Sequence, residues 1–120
     1  MNSNMTHASE LVMWGLVAHL VADWLLQNDW MASNKCNLVH PAAWVHGAIH
    51  AAVMALVFPW PWAMLIGLAH MVIDTRVPLN WWGVIFGKVN DSTVQAWMVS
   101  VWNDQALHVL LIAVVAVVVA

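Results

Sequence analysis

The chain has 120 residues, of which 63% are hydrophobic and only 8% charged, with a formal net charge of −3 and a mean hydropathy of +0.77. Water-soluble domains carry about 25% charged residues, so this composition leaves too little polar surface for an aqueous exterior and points to a bilayer. Three scattered cations exclude a nucleic-acid patch, and the single cysteine, Cys36, excludes an internal disulfide and a thiolate metal site of the CxxC kind.

In chain order, the opening "MNSNMTHASE" is polar and has no Lys or Arg. It lacks the basic start of a secretory signal, so the first apolar run, at about 9–28, is expected to be a retained span. Further apolar runs lie at about 42–58, 61–75 and 95–120. Crossing about 30 Å of hydrocarbon takes about 20 residues. The first and fourth runs meet that length; the second and third are shorter. Pro59 and Pro61 in "FPWPW" break the backbone ladder between the shorter two and predict a tight helical hairpin. Trp81 and Trp82, between prolyl and glycyl breaks, read as an interfacial segment before the fourth run. Trp30, Trp44, Trp60, Trp62 and Trp97 also fall near the ends of apolar runs, where indole rings prefer the headgroup level.

The expected fold is therefore an all-α, single-domain, integral membrane four-helix bundle. Lys35 lies in the first connection, and Arg76 and Lys88 lie in the third. The positive-inside rule places both connections in the cytoplasm and both termini outside. The last segment, "VLLIAVVAVVVA", ends without a charged stop. Its expected partners are the bilayer and a second copy or another membrane protein, with no nucleic acid.

Each run also carries a polar pair at a spacing of four: His19 with Asp23, His46 with His50, His70 with Asp74, and Asp104 with His108. Residues four apart share a helix face. With alternating helix direction, all four pairs fall at similar depth in the cytoplasmic half of the bilayer. Gln27 extends the first stripe to three members. "HLVAD" (19–23) and "HMVID" (70–74) match at His, Val and Asp, which predicts two helical hairpins related by an approximate twofold axis along the membrane normal. An ionisable group at a helix centre costs about 2.5–3.5 kcal/mol on insertion scales, so these groups are expected to face one another inside the bundle.

These residues resemble a family of small bacterial and phage membrane proteins, the domain of unknown function 3307 family. The resemblance rests on "AHLVADWLLQNDWMASNK" (18–35), "HPAAWVHGAIHA" (40–51), "LAHMVIDTRV" (68–77) and "NDQALHVLLIAV" (103–114). It implies a compact polytopic domain in the bacterial inner membrane and no established activity. It also draws attention to Asp29, Trp30 and Lys35 in "QNDWMASNK". "VPLNWWGVIFGKVNDSTVQAW" (77–97) departs from the expected pattern.

The foremost functional reading is a divalent metal centre. Imidazole and carboxylate ligands suit zinc, with manganese or iron next. Two ligands at i and i+4 on one helix are a common binding device, as in HExxH helices, and bundles hold such sites between facing helices. The candidate ligands are His19, Asp23, His46, His50, His70, Asp74, Asp104 and His108. Eight groups exceed the positions around one ion, so some orient the others or two ions are held. With an open position the centre could support hydrolysis, with Asp23 or Asp104 as general base.

Three alternatives compete. A proton relay needs polar groups along the whole depth, and the outer halves of the runs have almost none. Haem or pigment binding through axial histidines has small residues four positions before His19 (Gly15) and His46 (Ala42), but the aspartate partners suit a divalent ion better. The last is a non-catalytic membrane subunit with hydrogen-bonded His/Asp pairs. His7, His40, Asp29, Lys35 and Arg76 are expected to be solvated boundary groups.

Overall fold

The computed structural model describes residues 2–88 and 92–120. Helix α1 spans Ser3–Leu20 and starts earlier than hydropathy predicts, because the Asn2 side chain accepts from the Asn4 amide at 3.2 Å and caps the polar first turns. It runs directly into a π-helical turn, Val21–Leu25, closed by the Leu26 amide on the Val21 carbonyl at 2.9 Å. Asn28 then caps the short α2, Asp29–Asn34, by accepting from the Met31 amide at 3.0 Å.

His40 Nδ1 accepts from the Ala42 amide at 3.1 Å, and Pro41 fills the first position of α3, Pro41–Met54. His40 is thus a half-buried helix cap rather than a solvated boundary group. A tight turn leads to α4, Trp60–Asp74, which has Pro61 in its first turn. The hairpin predicted from "FPWPW" is present, with α3 packed along α4. Arg76, at a left-handed φ of 65°, turns the chain into α5, Val77–Ile85, which carries Trp81 and Trp82 with their rings exposed. Thr93 caps α6, Val94–Val119. Residues 89–91 of that last connection lie outside the described residues.

The described residues are helical with no strand. Two helices are long and apolar enough to cross a membrane: α1 with its π turn, 23 residues, and α6, 26 residues. At 14 and 15 residues, α3 and α4 are shorter. At about 1.5 Å per residue they reach roughly 21–23 Å. Four spans of full length are therefore not what the helices show, and the prolines at the start of α3 and α4 account for the short pair.

The four long helices form a ring in which α1 and α4 each pack on both α3 and α6, while the backbones of the diagonal pairs stay apart among the described residues. One end is filled by an apolar core including Leu11, Met54, Phe58, Ile66, Ile112 and Val115. The opposite end receives the polar pairs. Small residues let α3 and α4 approach closely: a Cβ on Gly67 would lie 2.9 Å from the Ala51 Cβ and 3.1 Å from the Gly47 carbonyl oxygen.

Since that neighbour is partly backbone, Gly67→Val is expected to cost about 1–3 kcal/mol through overpacking. Gly83→Ala, whose nearest outside neighbour would be the Lys88 Cβ at 3.8 Å, should stay within about 0.5 kcal/mol of wild type. Thermal unfolding of both variants in detergent checks the contrast.

Candidate metal centre

The ring closes on a cluster of imidazoles and carboxylates. His19, Asp23, His46, His50, His70, Asp74 and His108 are all buried, none more than 4% exposed. α1 contributes His19 from its last regular turn and the π turn contributes Asp23. α3 contributes His46 and His50, α4 contributes His70 and Asp74, and α6 contributes His108 from mid-helix. The wider π turn sits where a polar side chain enters the bundle, a common location for such turns.

The nitrogen atoms converge on the carboxylates. His46 Nε2 lies 3.1 Å from Asp23 Oδ1, 3.3 Å from Asp74 Oδ2 and 3.0 Å from His70 Nε2. His50 Nε2 is 3.3 Å from Asp23 Oδ1, and His70 Nε2 is 2.9 Å from Asp74 Oδ2. A ring nitrogen carries at most one hydrogen, so ordinary hydrogen bonds satisfy only one of the three approaches to His46 Nε2. The separations match a different geometry. Ligand atoms about 2.05 Å from a tetrahedral zinc ion are about 3.3 Å from one another.

His108 sharpens the point. Its Nδ1 lies 2.8 Å from the Asp104 carbonyl oxygen, and a carbonyl only accepts, so Nδ1 is the donor. In the neutral ring Nε2 is then a bare lone pair, buried and without a hydrogen-bond partner. It faces Asp74 Oδ1 at 3.5 Å. A lone pair beside a carboxylate is unfavourable unless a cation is shared between them, and the Lys35 ammonium lies 3.6 Å from that same Asp74 oxygen.

Six of the eight sequence-derived candidates fall into two overlapping groups whose ligand atoms lie within 4.8 Å of one another: Asp23, His46, His50 and His70, and then His70, Asp74 and His108. His19 and Asp104 sit beside these groups. His19 Nε2 donates to Gln105 Oε1 at 2.9 Å, and Gln105 Nε2 donates to Asp23 Oδ2 at 3.4 Å and Asp104 Oδ2 at 3.3 Å. Asp104 is the most open of the carboxylates, its side chain 13% exposed.

Two participants differ from the sequence reading. Lys35, expected to be solvated, reaches inward so that Nζ lies 3.6 Å from both Asp23 Oδ1 and Asp74 Oδ1. Gln105 links α6 to the π turn, although an amide beside Asp104 carries no charge that would flag it. Conversely, Gln27 does not extend the stripe, because the helix ends at Leu26; its Oε1 is buried without a partner. Arg76 Nη2 donates to Ser100 Oγ rather than standing free, while His7 and Asp29 are exposed as expected.

Fold and site together define an all-helical bundle built around a buried histidine–aspartate centre. Over residues 11–120 the chain matches the family described as Protein of unknown function (DUF3307), and it belongs to that family. No curated protein and no solved structure matches it.

Gln105→Leu strands the His19 donor and one side of Asp23, and is expected to cost about 1–3 kcal/mol. Gln27→Leu removes an acceptor that has no partner and should change stability by no more than about 0.5 kcal/mol. Chemical or thermal unfolding of the two variants, side by side, checks this.

Proposed function

We propose that this protein is a single-domain integral membrane protein that holds a divalent metal ion, zinc ahead of manganese or iron, between its four long helices. The observation that carries the reading is the convergence of Asp23, His46, His50 and His70 at coordination-edge spacing. Crowding of the rings favours a small ion over a planar macrocycle, since His50 and His70 stack with centroids 3.4 Å apart.

The membrane setting is supported by the outside of the bundle. Trp14, Trp44, Leu65, Leu68, Trp102 and Val117 are all exposed apolar side chains on the four long helices. A bundle with its ionisable groups inside and its tryptophans outside suits lipid better than water. In this reading α3 and α4 complete a four-span bundle, and the α1–α3 and α4–α6 pairs are its two pseudo-equivalent hairpins. The end holding Lys35, Arg76 and Lys88 faces the cytoplasm of a bacterial inner membrane, with both termini outside. Lipid and a second copy or another membrane protein are its partners.

A bound ion of this type supplies Lewis acidity and makes an attached water a better nucleophile. The chain's own part in a hydrolytic reaction then falls to Asp104. Asp23 is engaged by His46, His50, Lys35 and Gln105, which leaves it a binding and orienting role. Asp104 is less buried and has Gln105 as its only side-chain hydrogen-bond donor among the described residues, so it is the group free to take up a proton. The crowded Nε2 atoms favour metal binding over a non-catalytic bundle held by hydrogen bonds alone, because such bonds average about 0.6 kcal/mol in membrane proteins.

Detergent-purified protein is expected to carry near-stoichiometric zinc by elemental analysis, and His70→Ala should lower the bound metal by about tenfold or more. Wild-type protein devoid of metal after growth and loading with zinc contradicts the reading. Cys36, the single cysteine and exposed, tests the topology: a membrane-impermeant maleimide should label it in inverted vesicles and not in intact spheroplasts.

A further inference from the structure

The two ligand groups share His70, and the Lys35 ammonium lies across both of their carboxylates, 3.6 Å from each. Lysine is an unusual neighbour for a metal centre. It repels a cation, and it enters here from the loop after α2 with only 17% of its side chain exposed. Within the cluster Asp23, Asp74 and Asp104 bring three negative charges and Lys35 one positive charge, while Arg76 is turned to Ser100 outside it. One divalent ion makes the set neutral. A second would leave two positive charges uncompensated among apolar helices, where unpaired charge is strongly disfavoured.

Resting on the metal-centre reading above, we infer that Lys35 is a built-in cation that closes the second ligand group to metal, so that the centre takes one divalent ion rather than two. The first ion takes Asp23, His46, His50 and His70. The ammonium is equally near both carboxylates, but with His70 taken by the first ion the second group keeps two ligands, Asp74 and His108, too few to hold an ion against that charge. Lys35 thereby sets the stoichiometry without being a ligand, and ties the π turn to the end of α4 through its two aspartates.

The test is a zinc titration of the full chain in detergent, followed by desalting and elemental analysis. Wild type and Lys35→Arg, which keeps the charge, are expected to retain one zinc per chain. Lys35→Met, which keeps most of the stem and loses the charge, is expected to retain two. A lysine with a merely structural role would lower metal content when removed and could not raise it. One zinc in both wild type and folded Lys35→Met overturns this inference and leaves the metal centre standing, whereas no zinc in wild type overturns the metal centre and the inference with it. Should Lys35→Met fail to fold, the wild-type titration decides: two tightly held zinc ions per unaltered chain overturn the inference, and a second equivalent at least about a hundredfold weaker than the first supports it.

Discussion

The attraction between two buried carboxylates and the nitrogen atoms gathered around them is what the rest of the molecule serves. Asp23 and Asp74 are 4% and 3% exposed, and a buried charge persists only where opposite charge and hydrogen-bond donors meet it. Lys35 at the end of α2 and the imidazoles of His46 and His50 on α3, His70 on α4 and His108 on α6 are drawn to these two groups. Without that demand there would be no reason to bring so many polar side chains into an apolar ring.

The fold meets the demand by dividing its interior. The apolar core, including Leu11, Phe58, Ile66 and Ile112, holds one end of the ring together. Small residues at the α3–α4 contact bring those backbones close enough for His46 and His70 to meet with Nε2 atoms 3.0 Å apart. The π turn then sets Asp23 among the three ring nitrogens of α3 and α4. The outer surface is left apolar, with tryptophans on several helices.

Much of the centre is legible in the sequence because helical periodicity converts a spacing of four into a shared face. His19 with Asp23, His70 with Asp74 and Asp104 with His108 are each side-chain neighbours at 3.6, 2.9 and 3.7 Å. The start of α3 and the α3–α4 break are legible too, since proline fixes both. Helix α1 begins before its apolar run because a side-chain cap, not hydropathy, sets its start. Lys35 and Gln105 are illegible for different reasons. Lys35 reaches the centre through the reversal made by α2, a tertiary event, and its charge alone reads as a solvated rim. Gln105 is neutral, and its partners His19 and Asp23 lie outside its own helix. The lengths are legible as well: the first and fourth runs form the two helices of span length, and the second and third, already short by count, form α3 and α4.

The central claim is that imidazole nitrogens from α3 and α4 and the Asp23 carboxylate surround one ion. X-ray absorption spectroscopy at the zinc edge of the loaded, detergent-purified protein reads that shell directly. The account predicts about four nitrogen and oxygen neighbours at about 2.0–2.1 Å, with the outer-shell scattering of two or three imidazole rings. A shell of water oxygens without imidazole scattering, or one containing sulfur, would contradict it.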